Sequence, residues 1–456
     1  MKTIWFGGVM ATAVSLALAA GCSGDAASGP ESDESLDAQS AAAFVAPDPA
    51  RELLITDLSV VESTKYTIYK PGKKNTDPDG AWTFGRLMEN QLPAAQRTPA
   101  GTSAFILGWL GLWESAQVVN GQTVDARPAI RTLVIDPWKT ASGCSTTAPD
   151  SACTLDMTKA PFRLLAVVNR PDLRTLPTVD DPGDAGEGRF VFGVIGPTGN
   201  ALQFTVIFEY HLPIGTAGDI KKWANGWHAL GTEPFGPKYN DKLHGVVQNF
   251  MKVDAAGPGR SALSQIRTNE VSLSVVGSDP SNLPSTKLWE LREFNVVVDA
   301  GQTVLRQVTV KQEPSLALSG SSALGAWATE NEAAILDGTY VVPETWNGAT
   351  VGAAVSIAPR AFVWDIPGVS QPVRDALAVG TCNGCHTNET ATDFTHIKPR
   401  QPGVASVLST FLADQEAVNG PRVADFTTVL TSSVPSEGPG KDHKTPKPKA
   451  PKPPKP

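Results

Sequence analysis

The sequence lacks common catalytic signatures and internal repeats, and beyond its N-terminus it also lacks long apolar segments. After residue 21 no apolar run reaches about 18 residues, so we expect that the mature chain does not cross a membrane as a helix. The sequence contains no GxSxG, HExxH, P-loop or strand-associated GxGxxG motif, which leaves the common hydrolase, zinc-protease and nucleotide-binding signatures without support. No repeat recurs at a fixed period, so solenoid and propeller arrays are not expected.

Charge is also scarce, while turn-forming and aromatic residues are plentiful. Only 18% of the 456 residues are charged and the net charge is −8, so we expect no nucleic-acid partner. The 11 Trp and 16 Phe residues exclude a disordered chain and can fill a large core. With 41 Gly and 37 Pro, the composition disfavours a helical bundle and favours strands joined by turns.

Strand patterns dominate the middle of the chain. Four runs rich in β-branched and aromatic residues, bounded by Gly, Pro or Asp, predict strands at residues 131–136, 162–169, 189–195 and 202–210. Two further runs flank the turn sequence DAGQT and predict a hairpin, at residues 288–298 and 304–311.

Helical patterns interrupt these strands. Apolar residues at helical spacing, or an Ala-rich composition, predict helices at residues 103–113, 237–251 and 321–336. We therefore expect residues 51–360 to form one β-rich α+β domain, with interspersed helices around a mixed or antiparallel sheet.

The N-terminus has the pattern of an export signal. A basic start precedes an apolar stretch at residues 4–20, and Ala20-Gly21-Cys22 follows, which predicts a signal peptide at residues 1–21. The junction resembles a bacterial lipobox, with Ala19 where Leu is commonest. The resemblance implies lipidation of Cys22, and Ser23 after it implies outer-membrane sorting in a Gram-negative envelope, on the periplasmic or surface side. The alternative is a plain secretory signal with an incidental cysteine.

Export also sets expectations for the other cysteines and for the ends of the mature chain. Cys144 and Cys153 enclose eight turn-rich residues, so in an oxidising compartment we expect them to form a disulfide. Residues 22–50 are acidic and rich in Ser, Ala and Gly, which predicts a flexible tether. Residues 434–456 hold eight Pro and six Lys and predict a disordered, extended tail that could contact acidic envelope polymers.

One motif carries recognisable chemistry, the sequence CNGCH at residues 382–386. CxxCH is the attachment signature of c-type haem. Two thiols three residues apart on one helical turn can reach the two vinyl groups of the porphyrin, and the adjacent histidine can meet the iron. We therefore predict haem c, with Cys382 and Cys385 as thioether residues and His386 as the proximal iron ligand.

The surroundings of the motif resemble the cytochrome c fold. Helical patterns precede it at residues 370–380 and follow it at residues 404–412 and 423–430. A helix, then CxxCH, then further helices implies a small all-α cytochrome c-like module at residues 366–433. The segment is also similar to stretches in uncharacterised exported bacterial proteins with a cytochrome-like end, and these supply no activity.

The second axial ligand departs from the cytochrome pattern. Many cytochromes of this kind use a downstream Met, but no Met follows Met251. His396, ten residues after His386, is the nearest other imidazole and a candidate distal ligand. A residue of the larger domain, or a five-coordinate iron, is the alternative.

These observations leave several functions open. The first is a membrane-anchored cytochrome that passes electrons to an unknown redox protein. The second is a non-redox envelope lipoprotein in which the CxxCH segment is a disulfide-stapled or relic appendage. A haem-dependent catalytic site formed with the large domain, or a zinc site that includes His396, is also open.

Overall fold

The strands of the protein are distributed along the whole chain. The computed structural model describes residues 44–73, 77–175, 184–212, 216–274, 289–358 and 364–432. Within these ranges the strands are β1 Leu54–Ile55, β2 Gln117–Val119, β3 Gln122–Val124, β4 Phe162–Arg170, β5 Glu187–Ile195, β6 Ala201–His211, β7 Leu263–Glu270, β8 Trp289–Asp299, β9 Gln302–Val308, β10 Thr345–Trp346, β11 Ala349–Thr350 and β12 Ser356–Ala358.

Thirteen α-helices lie before, between and after these strands in the described part of the chain. They are α1 Pro49–Glu52, α2 Leu58–Val61, α3 Phe84–Glu89, α4 Pro99–Leu110, α5 Asp136–Ala141, α6 Ala217–His228, α7 Pro237–Met251, α8 Ser322–Glu330, α9 Glu332–Leu336, α10 Gln371–Gly380, α11 Cys382–Cys385, α12 Thr410–Gln415 and α13 Pro421–Thr431. None of the described helices is long and apolar enough to cross a membrane.

An antiparallel sheet of eight strands organises the molecule. Its order is β1-β4-β5-β6-β7-β8-β12, and β9 also pairs with β8. The long strand β8 has room for two partners on one edge, because β12 pairs with its first residues and β9 with its last. The predicted β8–β9 hairpin is confirmed, and its turn residues Ala300 and Gly301 both have positive φ, as a tight two-residue turn requires.

One face of the sheet carries the main core. Aromatic residues at alternate positions, such as Phe190 and Phe208, point to this face and meet α3, α4, α6 and α7. Phe84 of α3 stacks on Phe162 of β4 with ring centroids 3.8 Å apart. The opposite face has its own smaller apolar cluster, which includes Leu54 and Val191.

One predicted element is wrong, and one strand of the structure was not predicted. Residues 131–136 were expected to be a strand, but Arg131–Ile135 is a π-helical turn that runs into α5. The six residues 131–136 are too few to show a helical period, but the longer stretch has one, because Ile130, Val134 and Trp138 are buried at intervals of four residues. The strand β7 has a polar sequence and was not predicted, because its second face carries Gln265, Arg267 and Asn269.

The predicted fold class, a β-rich domain followed by a small all-α cytochrome c-like module, is wrong. The C-terminal helices do not form a module of their own, because α10, α12 and α13 each bury an apolar face against a different part of the chain. Helix α10 packs with α8 and α9, α12 packs on the second face of the sheet, and α13 belongs to the main core. In addition, only Thr410–Gln415 of the stretch expected to begin a helix at residue 404 is helical.

Several expectations concern residues that the structure does not describe. The signal peptide at residues 1–21, the lipidated Cys22, most of the acidic tether and the tail at residues 434–456 lie outside the described residues. The last tether residues lead into α1, whose first turn is capped by the side chain of Asp48.

Candidate functional site

The CNGCH motif forms the short helix α11, and residues from other segments hold its N-terminus. The Thr381 hydroxyl accepts a hydrogen bond from the Gly384 amide at 3.3 Å and donates to the Ala378 carbonyl at 2.7 Å. A carboxyl oxygen of the distant Glu313 accepts from the Cys382 amide at 2.6 Å and from the Asn383 amide at 3.4 Å. These bonds satisfy donors that a helix of this length leaves without intrahelical partners.

The two residues between the cysteines are determined by packing. Asn383 is fully buried, and its side-chain oxygen accepts a hydrogen bond from the Trp364 indole at 2.8 Å. At Gly384 a Cβ atom would lie 1.8 Å from the Ala378 carbonyl oxygen. The backbone can therefore adopt this turn only with glycine at position 384.

Both motif cysteines are free thiols and half-buried. Cys382 packs against a small apolar cluster that includes Trp289 and Leu291 of β8. Burial raises the pKa of both thiols, that of Cys385 to about 11. Because the thiolate is the reactive form in disulfide exchange, these neutral thiols are poorly suited to a thioredoxin-like role.

His386 has the orientation of a metal ligand. Its Nδ1 lies 2.8 Å from the Phe394 carbonyl oxygen, and because a carbonyl only accepts, Nδ1 carries the proton and donates. The Nε2 atom then has the free lone pair, in the arrangement that metal-binding histidines usually show. The ring also stacks on Trp289, with centroids 5.1 Å apart, and burial lowers the pKa of His386 to about 4.

His396 lies directly beside the motif. Its Nε2 is 3.4 Å from the Cys385 sulfur, and its Nδ1 is 2.8 Å from the Ser409 hydroxyl. The rings of His396 and His386 have centroids 4.4 Å apart, and burial lowers the pKa of His396. The structure thus brings together the four side chains that the sequence singled out at this end of the chain.

Other residues of the site could not be recognised from the sequence. Glu313, Trp289 and Trp364 lie far from the motif along the chain, and no pattern in the sequence relates them to it. Phe394 is closer, but it contributes through its backbone carbonyl, which carries no sequence signal. The tertiary fold therefore brings these surrounding groups to the motif.

Three side chains of the site match what covalent haem requires. Among the described residues no group of three or more His, Cys, Asp and Glu side chains is arranged so that it could hold a metal ion by itself. Haem c needs two free thiols on one turn and one neutral imidazole with an unprotonated nitrogen, and Cys382, Cys385 and His386 meet these requirements.

The predicted disulfide is confirmed. Cys144 and Cys153 form a disulfide, nine residues apart in sequence.

No known protein family, curated protein or solved structure matches this chain.

Proposed function

We propose that this protein is an exported c-type cytochrome that binds one haem covalently and transfers electrons in the cell envelope. The observation that carries the proposal is the Nδ1 hydrogen bond of His386 to the Phe394 carbonyl, beside two free thiols on one helical turn. The haem is held on the sheet of the large fold, not in a separate cytochrome domain.

The attachment chemistry uses the thiols as they stand. Each S–H adds across one vinyl double bond: a carbon–sulfur bond forms, the π bond breaks, and the thiol proton goes to the terminal carbon. No oxidant or reductant is consumed, and a disulfide between the cysteines would block the reaction. Once bound, haem c supplies reversible one-electron chemistry at its iron.

His396 is the proposed distal ligand. In the free protein its Nε2 pairs with the Cys385 thiol, but a thioether has no S–H to donate, so attachment removes this partner. The Ser409 contact at Nδ1 still holds the ring. With Nδ1 held at Ser409, the Nε2 atom of His396 would hold the iron together with the Nε2 atom of His386.

Haem attachment is tested with the full chain made together with the haem c maturation system. The wild type should show haem staining that survives denaturing electrophoresis and a mass increased by one haem. The Cys382→Ser/Cys385→Ser variant should show neither, whereas the matched Cys144→Ser/Cys153→Ser pair should keep the haem if it folds. Wild-type protein with only the apoprotein mass would contradict the proposal.

We also propose that Cys22 is lipidated and anchors the protein to the outer membrane, facing the periplasm or the cell surface. The support is the Ala-Gly-Cys junction after the apolar segment. Cys22→Ala should block processing or release the mature protein from membranes in fractionation. Unchanged mass and unchanged membrane attachment would show that the N-terminus is a different kind of signal.

An unknown redox protein is the proposed electron partner.

A second candidate function is a non-redox envelope protein in which CNGCH is a structural turn. One observation favours it: Asn383, Gly384 and Thr381 pack tightly, and the motif residues Cys385 and His386 already have partners within the chain. This candidate predicts that protein isolated from its native envelope is folded, active in partner binding and free of haem.

A further inference from the structure

A cavity of about 110 Å³ adjoins the two histidines of the site. It lies between the second face of the sheet and the chain that follows the motif, and both His386 and His396 line it. Much of the remaining wall is aliphatic, including Val191 and Ile207 from the sheet and Leu412 from α12. The cavity is smaller than the roughly 300–1,000 Å³ of pockets that enclose a whole cofactor-sized ligand, so it suits one edge of such a ligand.

Three arginines line the same cavity and bring positive charge to its aliphatic walls. Arg170 ends β4, Arg189 lies on β5 and Arg422 lies in α13. The arginines come from three separate elements, so only the tertiary fold brings them together.

Arg170 and Arg422 each pair with an acidic side chain and keep further N–H groups that can donate hydrogen bonds. Arg170 donates from Nε and Nη2 to Asp172, and Arg422 donates from Nη1 to Glu416 at 2.7 Å. A guanidinium group has five N–H donors, so both retain donors for another acceptor. Burial and the neighbouring Arg170 lower the pKa of Arg422, which indicates that an added anion would stabilise its charge.

We propose that this cavity receives the propionate edge of the haem, and that Arg170 and Arg422 bind its carboxylates. The inference rests on the proposed function. In the porphyrin the two propionates lie on the edge opposite the vinyl groups, so attachment at Cys382 and Cys385 directs them away from α11. The aliphatic walls contact the macrocycle, and arginine matches carboxylates with paired N–H donors.

The test measures non-covalent porphyrin binding, in the full mature chain carrying Cys382→Ser and Cys385→Ser to prevent attachment. Iron protoporphyrin IX is compared with its dimethyl ester, which has the same ring and no carboxylate charge. The free acid should bind at least about tenfold more tightly, as expected for charge-assisted hydrogen bonds. Arg422→Gln or Arg170→Gln should reduce that preference to about threefold or less.

Arg174→Gln is the matched control, because Arg174 pairs with Asp425 close by and does not line the cavity. It should leave the preference unchanged, and circular dichroism should show that every variant is folded. Equal binding of acid and ester, a preference insensitive to Arg170 and Arg422, or no binding of either porphyrin would each overturn the inference. Absence of haem on matured wild type would instead overturn the proposed function, and the two failures are therefore distinguishable.

Discussion

At the scale of single residues, the CNGCH turn depends on side chains that the haem signature leaves unspecified. The signature prescribes two cysteines and a histidine, but here the intervening Asn383 and Gly384 are both buried. Asn383 connects the turn to Trp364, and Gly384 allows it to approach α10. The turn is therefore held in place by contacts within the chain itself.

Gly384→Ala should destabilise the protein, because the new methyl group would meet the Ala378 carbonyl oxygen. We expect a loss of about 1–3 kcal/mol in the free energy of unfolding, typical of overpacking, measured by urea denaturation. Gly226→Ala in α6 is the control, since a Cβ there meets nothing within 4 Å. It should be neutral or stabilising by about 0.5–1 kcal/mol. Equal effects of the two substitutions would contradict this account of the turn.

His396→Ala should convert a low-spin haem spectrum to a high-spin one, because it removes the proposed distal ligand. Haem content should stay constant, since the thioether residues are unchanged, while His386→Ala should damage the site more severely. Visible absorption spectra of matured protein measure both effects. A low-spin spectrum that survives His396→Ala would assign the sixth ligand to another part of the fold.

At the scale of secondary structure, α11 is too short to be stable alone and depends on Glu313. This carboxyl group is buried and accepts hydrogen bonds from the first two amides of the helix. Burial outweighs these bonds and raises the pKa of Glu313 to about 8. The stability of α11 is therefore coupled to the protonation of Glu313, which lies 69 residues before Cys382 in the chain.

Because of Glu313, the free energy of unfolding of the protein should fall as the pH rises. Its pKa is 4.5 when unperturbed and about 8 in the fold, so the folded state binds the extra proton between these values. This contribution is fully present below about pH 4.5 and is lost through about pH 8, at no more than about 1.4 kcal/mol per pH unit. Glu313→Gln should flatten that part of the profile in denaturant unfolding between pH 5 and 8.5. The exposed Glu332→Gln should not, and identical profiles for all three proteins would refute the coupling.

At the scale of the whole molecule, the C-terminal segment is part of the main fold. Helix α13 buries Val423, Phe426, Val429 and Leu430 in the same cluster as the aromatic core of the sheet. Arg400 reaches back to Glu62 and to the Leu164 carbonyl. Removal of this segment would therefore expose core residues of the sheet.

Phe426→Ala should lower the stability of the entire molecule by about 3–5 kcal/mol, because it opens a cavity in the main core. Tryptophan fluorescence and far-UV circular dichroism should report one shifted transition in denaturant. The control is Val418→Ala, whose side chain is 67% exposed, and it should change stability by less than about 0.5 kcal/mol. An unchanged tryptophan transition in Phe426→Ala would indicate an independent C-terminal unit after all.

Local patterns explain which elements were predictable. The β8–β9 hairpin and α7 follow from a turn sequence and from apolar spacing within the element itself. Strand β7 was missed because Arg267 faces Glu209 and Glu293 across the sheet, so its charge is paired and buried. Residues 404–412 were misjudged because Val404 and Val407 have helical spacing but are exposed. Burial of this kind depends on distant partners, which local periodicity does not reveal.

The sequence by itself determined the chemistry that this protein can offer and the local turns that carry it. The turn-rich spacing of Cys144 and Cys153, together with the expected oxidising compartment, predicts their disulfide. Spacing also places Cys382, Cys385 and His386 on one turn, because covalent connectivity limits how far apart these groups can lie. Only the tertiary structure decided what surrounds them: Glu313 at the helix start, Trp289 under the imidazole, and the arginines of the adjoining cavity. These groups come from distant segments, and they meet because each helix of the C-terminal segment buries its apolar face against the large sheet or its attached helices.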